Sequence, residues 1–407
     1  MIPKTMRPDI LLLYAARGAR GFADGFAVIL LPAYLVEIGF SPFLVGLVAA
    51  AALLGTAATT LAVGVLAPGR DLRALLMLGA GIMVLTGLLL PSSTVVAVIL
   101  LVAFLGTMNP STGDIGLLVP LEQAMLARAA GDRERTRIFA RYSLVGALAN
   151  AAGALAAAIP DALVALGIGK AGALTVMFYL YAALGVVSLA LYYGLPHAGN
   201  EEARAAAPLG PSRKTVYRLA ALFSLDAFAG GFAVQSLIAL WLFERFDLSI
   251  AAASAFFFWS NVAAAFSFPV AARLAARFGL VNTMVFSHMP SNLCLVLAAF
   301  SSNLLTALAL LLLRAALSQM DVPTRTSYVM AVVTPAERPA AASFTAVPRS
   351  LAASVSPALA GALLGGPFSG LPFLICGVLK IVYDCALLYG FRHMKPPEEE
   401  VSSQRRS

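Results

Sequence analysis

The sequence predicts an all-α polytopic membrane protein with twelve transmembrane helices in two pseudo-symmetric six-helix bundles. Three observations support this fold class. Hydrophobic residues make up 60% of the 407 positions and charged residues only 12%, about half the charged fraction of a soluble domain. Apolar runs of about 20 residues, long enough to cross a bilayer as helices, recur along the whole chain. The two halves of the chain also repeat one another in sequence.

The apolar runs divide into twelve helices joined by polar loops. The first six form a predicted N-terminal bundle at 1–195, and the last six a C-terminal bundle at 215–394. The polar, proline-bearing segment 196–214 predicts a cytoplasmic linker, and the charged segment 395–407 a cytoplasmic tail. The predicted helices are 10–36, 43–67, 72–91, 94–127, 136–159, 171–195, 215–244, 250–276, 279–300, 303–333, 338–365 and 370–392.

The distribution of positive charge predicts the orientation of the chain in the membrane. The net charge is +8, and Lys and Arg concentrate in alternate loops, whereas the other loops hold essentially Lys170 and Arg245 alone. This asymmetry follows the positive-inside rule and indicates a multi-pass protein of the cell membrane with both termini cytoplasmic. The same asymmetry accounts for the net positive charge, so no nucleic-acid partner is expected. The first helix continues past residue 35, which is not typical of a cleavable signal peptide.

The repeat is clearest at the first helix of each half. The segment GFADGF (21–26) returns as AFAGGF (227–232), with glycine in place of Asp24. Further along, GDRERTRIF (131–139) aligns with AERPAAASF (336–344). A parallel repeat of six helices is typical of transporters in which two bundles rock about a central site.

A loop motif makes the resemblance to a known family specific. GVLAPGRDLR (64–73) is similar to the Gly-x-Leu-Ala-Asp-Arg-x-Gly-Arg signature between helices two and three of the major facilitator superfamily. The matching residues are Gly64, Leu66, Ala67, Arg70 and Arg73. Pro68 takes the place of the signature aspartate, for which Asp71 is the available substitute, and the second copy at 272–279 keeps Arg277 and Gly279.

In helix number, linker, parallel halves and loop positions, the chain resembles this superfamily over essentially its whole length. The resemblance implies a secondary transporter that works by alternating access. It also implies that helices one, four, seven and ten line the cavity, so that their polar residues face the transport route. The residues assigned to the cavity or to proton coupling are Asp24, Asp114, Asp226, Arg20, Gln235 and Asn261.

Charged residues near the middle of a membrane are costly and usually functional. A rise of about 1.5 Å per residue places Asp24 and Asp114 about 20 Å from the cytoplasmic ends of their helices. An unpaired carboxylate at that depth favours its protonated form and can carry a proton. Arg20 lies one turn from Asp24. It is expected to pair with Asp24, to pair elsewhere in its own half, or to bridge to Asp226 across the pseudo-twofold axis.

Other intramembrane charges predict ion pairs with structural or gating roles. Glu122 and Arg141 lie at similar depth on helices four and five, and Asp321 and Arg349 form the corresponding pair in the second half. Lys380 and Asp384 are spaced i,i+4 on the last helix and can neutralise each other. The residues assigned to gate or structural pairs are Glu122, Arg141, Asp321, Arg325 and Arg349.

The sequence contains no motif of a nucleotide-, serine- or zinc-dependent enzyme, so we expect neither catalysis nor a cofactor. The three cysteines lie in apolar segments and predict packing residues, and the three histidines are dispersed, so no metal site is expected. The predicted partners are a small-molecule substrate, protons and the lipid bilayer, with the chain acting as a monomer. The functional hypothesis is proton-coupled efflux of a small organic molecule by an antiporter. Two alternatives are proton-coupled uptake of an anionic metabolite and export of a divalent metal ion.

Overall fold

The computed structural model describes residues 7–66, 70–110, 118–129, 135–197, 210–334 and 337–392. Its regular elements within these ranges are sixteen α-helices and one short 3-10 turn at 90–92. The helices are α1 Pro8–Glu37, α2 Pro42–Leu66, α3 Leu72–Leu89, α4 Val96–Leu105, α5 Leu118–Ala129, α6 Arg135–Ala156, α7 Ile159–Ala165, α8 Lys170–Tyr193, α9 Arg213–Gly231, α10 Gln235–Phe246, α11 Ile250–Phe278, α12 Leu280–Phe300, α13 Leu304–Ser318, α14 Asp321–Ala331, α15 Arg338–Leu364 and α16 Leu371–Phe391.

The helices confirm the predicted fold class. Among the described residues, ten helical segments are long and apolar enough to cross a membrane. Two shorter apolar helices, α4 and α13, lie in the predicted fourth and tenth spans. Each short helix is followed by a second helix that begins within the same predicted span, α5 after α4 and α14 after α13. In the tenth span the second helix begins at Asp321, so Pro323 occupies a first turn, where its missing N–H is not needed.

The described residues form two compact units. The first consists of 7–197 together with 234–261, and its core lies between α1, α3, α5, α6 and α8. The second consists of 210–233 together with 262–392, and its core lies between α9, α12, α14, α15 and α16. The bundle boundaries predicted from the sequence, at 195 and 215, stay a prediction.

The repeated segments GFADGF and AFAGGF use one glycine in the same way. Gly25 lies where α1 crosses α6, and a Cβ there would lie 2.1 Å from the carbonyl oxygen of Asn150. Gly231, its counterpart, lies where α9 crosses α15, and a Cβ there would lie 2.1 Å from Ser356 Oγ and 2.7 Å from the carbonyl oxygen of Ala353. Small residues allow such close helix crossings in membranes. Each unit therefore has an equivalent close crossing of its first helix.

A polar staple holds the start of α9. The Glu337 carboxylate, at the start of α15, accepts hydrogen bonds from the Thr334 hydroxyl at 2.6 Å and the Ser212 hydroxyl at 2.7 Å. It also accepts the backbone N–H of Gly210. These bonds lower the pKa of Glu337 to about 2. The two helices are thereby joined at the end where both begin.

Candidate functional site

A buried charge network in the first unit centres on Glu122 of α5. Arg20 of α1 and the Tyr142 hydroxyl of α6 both donate to Glu122 Oε2. The Tyr192 hydroxyl of α8 donates to Oε1 at 2.6 Å. Arg17 lies over the Tyr142 ring, 5.2 Å from its centroid. Four helices thus meet on one carboxylate, which is completely buried and is satisfied by charge and by hydrogen bonds.

This network leaves Asp24 without an ion-pair partner. Arg20 lies one turn away, but its guanidinium bonds Glu122. Among the described residues Asp24 takes part in no hydrogen bond or ion pair, although Arg20 and Arg17 lie within electrostatic range. The side chain is only partly buried. Asp114, the other acid predicted at this depth, lies outside the described residues.

The remaining residues predicted for the first unit have separate surroundings. Gln235 begins α10, and its Oε1 is buried without a hydrogen-bond partner. The Asn261 side-chain amide of α11 donates to Asn150 Oδ1 of α6 at 2.8 Å. Arg141 lies on α6 within electrostatic range of Tyr14. The structure therefore places Asn261 in a polar bond between helices.

A second buried network, in the other unit, centres on Asp226 of α9. Lys380 Nζ of α16 donates to Asp226 Oδ1 at 2.5 Å, and Arg325 of α14 donates to Oδ2 at 3.0 Å. The same Arg325 nitrogen lies 3.4 Å from Asp321 Oδ2, one turn earlier on α14. All four side chains are buried. Both oxygens of Asp226 are therefore bonded by permanent cations.

The network continues through His288 of α12. Its Nδ1 lies 2.9 Å from Asp384 Oδ1 on α16, and the amide of Asn292 donates to Asp384 Oδ2 at 3.1 Å. On the other side, His288 Nε2 lies 3.5 Å from Lys380 Nζ and 3.9 Å from Asp226 Oδ1. The imidazole thus lies between two carboxylates, with a cation beside it.

Several pairings differ from those predicted. Lys380 and Asp384 do not neutralise each other, because Lys380 reaches across to Asp226 and Asp384 bonds His288 and Asn292. The ion-pair partner of Asp321 is Arg325, in place of Arg349.

The structure also gives Arg20 and Asp226 partners within their own units, which was the second alternative for Arg20. Arg349 lies within electrostatic range of Arg325 and Asp226, and its Nε is buried without a hydrogen-bond partner.

Sequence reasoning missed His288 as a member of this network. The three histidines are dispersed in the sequence, so His288 alone gave no reason to expect a charged partner. One signal was available: His288 and Asn292 lie four residues apart, as do Lys380 and Asp384, so each helix presents two polar side chains on one face. Two such faces in adjacent helices favour contact between them.

The loop motif contains a smaller polar cluster. Asp71 caps α3 by accepting the Arg73 N–H at 3.1 Å, and its other oxygen lies 2.8 Å from His197 Nδ1, just beyond α8. Arg73 also lies 3.1 Å from His197 Nε2. The contact joins the start of α3 to the end of α8.

The other motif residues have simpler surroundings. Gly64 lies near the end of α2, and Arg70 is exposed before α3. In the second copy, Arg277 lies over the Phe278 ring, and Gly279 has a φ of 88°, which favours glycine. A role for Asp71 as the signature acid stays a prediction.

Neither network has the composition of a metal site. Within the described part of the chain, no group of three His, Cys, Asp or Glu side chains is placed to hold a metal ion. Cys294 and Cys376 are buried free thiols, and Cys385 is an exposed one. The two networks instead combine carboxylates with arginine, lysine, tyrosine and histidine, a set suited to proton binding and ion-pair exchange.

Comparison with known proteins agrees with this architecture. Residues 219–407 match the family model described as Major Facilitator Superfamily. A protein of Saccharomyces cerevisiae described as "Uncharacterized membrane protein YJR124C" is 24% identical over 418 residues, which cover 93% of each chain. The crystal structure of nucleoside transporter NupG superposes with a TM-score of 0.72 at 14% identity, covering 95% of this chain and 100% of that one.

The crystal structure of a D-xylose-proton symporter gives a TM-score of 0.70 at 15% identity, covering 93% of this chain and 96% of that one. At these identities the two structures establish a shared fold. The fold extends over nearly the whole chain, and the family model matches most of the second half. The chain is therefore a multi-pass membrane protein with the fold of these transporters, and its residues 219–407 match the model of the major facilitator superfamily.

Proposed function

We propose that this protein is a proton-coupled secondary transporter that exports a small organic molecule by alternating access. We place it as a monomer in the cell membrane with both termini in the cytoplasm, following the distribution of basic loops. In this proposal Asp24 binds the coupled proton or the substrate. Its counterpart in the second repeat is Gly230, so the two units differ at this position.

The observation that supports the proposal is the isolation of Asp24. Burial disfavours a charged carboxylate, and the nearest guanidinium, Arg20, is already neutralised by Glu122. A partly buried acid with no bonded counter-ion among the described residues exchanges protons more readily than one held in a salt bridge. Asp226 is the contrasting case, because two cations hold it in the charged form.

An uncharged or cationic organic substrate suits the described charges better than an anion does. Two of the arginines that could bind an anionic substrate, Arg20 and Arg325, are bonded to carboxylates. The superposed structures are those of a nucleoside transporter and of a D-xylose-proton symporter, so nucleosides and pentoses belong in the first substrate screen alongside organic cations.

Uptake of an anionic metabolite remains the second candidate because of Arg349. Its Nε is buried without a hydrogen-bond partner, and no carboxylate in the described residues forms an ion pair with it. Export of a divalent metal ion has less support. Its ligands would be Asp24, Asp114 and Asp226, and Asp226 has both oxygens bonded by cations.

The experiment is substrate-driven proton movement in proteoliposomes that contain a lumenal pH indicator. A substrate added outside acidifies the lumen in symport and alkalinises it in antiport, whatever the orientation of the protein. We expect alkalinisation with wild-type protein. Asp24→Asn should lower this signal. If Asp24 binds the proton, substrate exchange across the membrane at equal pH is retained, because exchange needs no net proton transfer; if Asp24 binds the substrate, exchange is lost as well.

Asp247→Asn is the matched control. Asp247 is exposed at the end of α10 with a φ of 49°, a conformation that Asn also accepts. The control should behave as wild type. Unchanged proton movement in Asp24→Asn would exclude Asp24 as the coupling residue, and substrate movement without any pH change would exclude proton coupling. Lumenal acidification would support uptake in place of efflux.

A further inference from the structure

The network around Asp226 contains one acid that no permanent cation bonds. Asp226 is bonded by Lys380 and Arg325, and Asp321 pairs with Arg325. Asp384 is bonded only by His288 and Asn292 among the described residues, and both are neutral when His288 is unprotonated. With 1% of its surface exposed, an ionised Asp384 lacks a bonded counter-charge, and a proton on His288 would supply one.

We propose that His288 and Asp384 form a second proton-binding site, and that protonation of His288 Nε2 exchanges the cation bonded to Asp226. This inference deepens the proposed proton coupling and rests on it for its role in transport. The binding site itself stands on the geometry of α9, α12 and α16. A proton would bind here in addition to, and independently of, one at Asp24.

The hydrogen-bond partners determine where the proton binds. An ionised carboxylate only accepts, so the neutral imidazole donates from Nδ1 to Asp384 Oδ1 across 2.9 Å. The lone pair then lies on Nε2, which faces Lys380 Nζ at 3.5 Å. A hydronium ion gives its proton to this lone pair: one of its O–H bonds breaks, the Nε2–H bond forms and a water molecule is released. The weak contact from the ammonium group is lost, and Lys380 keeps its three protons.

Protonation creates a competition for Asp226. An imidazolium and an ammonium 3.5 Å apart repel each other, and both face the same oxygen, Asp226 Oδ1. The Nε2 atom already lies 3.9 Å from that oxygen, so a small rotation of the protonated ring completes the ion pair. Lys380 is then free to withdraw. The proton thus replaces a bond between α9 and α16 by one between α9 and α12.

The neighbouring glycine gives Lys380 room to move. At Gly230 on α9, a Cβ would lie 3.7 Å from both Cε and Nζ of Lys380. The Lys380 side chain is also more exposed than that of His288, at 11% against 4%. Gly230 occupies the repeat position of Asp24. The two units therefore place their proton sites differently.

The charge state of His288 depends on every ionisable group that faces it. The attractive groups are the carboxylates on α9, α14 and α16, and the repulsive groups are the cations on α13, α14, α15 and α16. Asp226, Asp384, Lys380 and Tyr383 face the ring directly. Asp321, Arg325 and Arg349 belong to the network around Asp226, and Arg314 lies on the adjacent helix α13. Lys380 is the nearest cation, so its removal is the most specific perturbation.

A single-histidine protein allows a direct test that needs no substrate. The chain has three histidines, and His197→Gln with His393→Gln leaves only His288. Nitrogen-15 NMR of histidine-labelled protein in lipid nanodiscs reports the tautomer and the protonation of the ring. We expect the proton on Nδ1 at high pH and the uptake of a second proton at Nε2 as the pH is lowered.

Two variants in this background test the neighbours. Lys380→Gln removes a like charge at 3.5 Å and should move the midpoint up by about 1 to 3 pH units, and Asp226→Asn should move it down by a similar amount. His197 restored alone is the control for background titration. A ring that keeps its proton on Nε2, or one whose midpoint ignores both variants, would refute the site.

Transport measurements distinguish the proposed site at His288 from the proposed function, proton-coupled transport. His288→Gln should lower the number of protons moved per substrate molecule, measured as the ratio of the two fluxes in the same vesicles. If His288 binds a proton but the protein shows no proton-coupled transport, the proton-binding site is supported and the proposed function is refuted. Proton-coupled transport with an unchanged ratio in His288→Gln would remove the site from the coupling mechanism.

Discussion

Adjacent glycines at the end of α9 predict opposite effects of the same substitution. In Gly231→Ala the new methyl group would lie 2.1 Å from Ser356 Oγ and 2.7 Å from the carbonyl oxygen of Ala353. The second contact is with backbone, so α9 and α15 must separate. Overpacking of this kind costs about 1 to 3 kcal/mol. In Gly230→Ala the nearest atoms belong to Lys380 at 3.7 Å, an ordinary contact, and the alanine gains about 0.5 to 1 kcal/mol as a helix former.

The assay is the apparent melting temperature of purified protein at one heating rate. At about 2 to 4 °C per kcal/mol for a unit of this size, Gly231→Ala should melt about 2 to 12 °C lower than wild type and Gly230→Ala about 1 to 4 °C higher. Ser356→Ala added to Gly231→Ala should recover part of the loss, because it removes the closer contact. Equal melting temperatures for the two glycine variants would refute the close crossing of α9 and α15.

Two further predictions concern carboxylates. Glu122→Gln leaves the buried guanidinium of Arg20 without a bonded counter-charge and should destabilise the first unit by about 3 to 5 kcal/mol, whereas Tyr192→Phe removes one hydrogen bond and should cost about 1 kcal/mol. Similar drops in melting temperature for both variants would contradict the importance of the charge. The lowered pKa of Glu337 stabilises the fold above its usual value of 4.5, and this contribution is lost as the pH falls towards 2. In Glu337→Gln the melting temperature should therefore depend less on pH between about pH 5 and 2. An unchanged pH dependence would show that the hydrogen bonds of Glu337 do not cause it.

The sequence was sufficient for properties that depend on local chemistry. Apolar runs of bilayer length predicted the helices, and the likeness of GFADGF and AFAGGF predicted that the two halves are parallel repeats. The cost of burying charge was enough to select Asp24, Asp226 and Glu122 as residues of interest. None of these inferences requires knowing which way a helix is rotated about its axis.

The choice of ion-pair partners did require that knowledge. Glu122 is bonded by Arg20 from α1, although Arg141 was the predicted partner at similar depth. Lys380 lies one turn from Asp384, yet its long side chain extends to Asp226 on another helix. A rotation of α12 by one residue, about 100°, would turn His288 away from both acids. Sequence spacing does not determine such rotations, so the networks emerged only from the packed structure.

The separation of these partners along the chain affects the order of synthesis. Asp226 precedes Arg325 by 99 residues and Lys380 by 154. At about 5 to 20 residues per second, Asp226 waits about 5 to 20 s for its arginine and about 8 to 30 s for its lysine. During that interval the nascent α9 holds an acid whose counter-ions the ribosome has not yet made. Asp226 must therefore enter the bilayer protonated or remain in contact with water until the helix that carries Arg325 arrives.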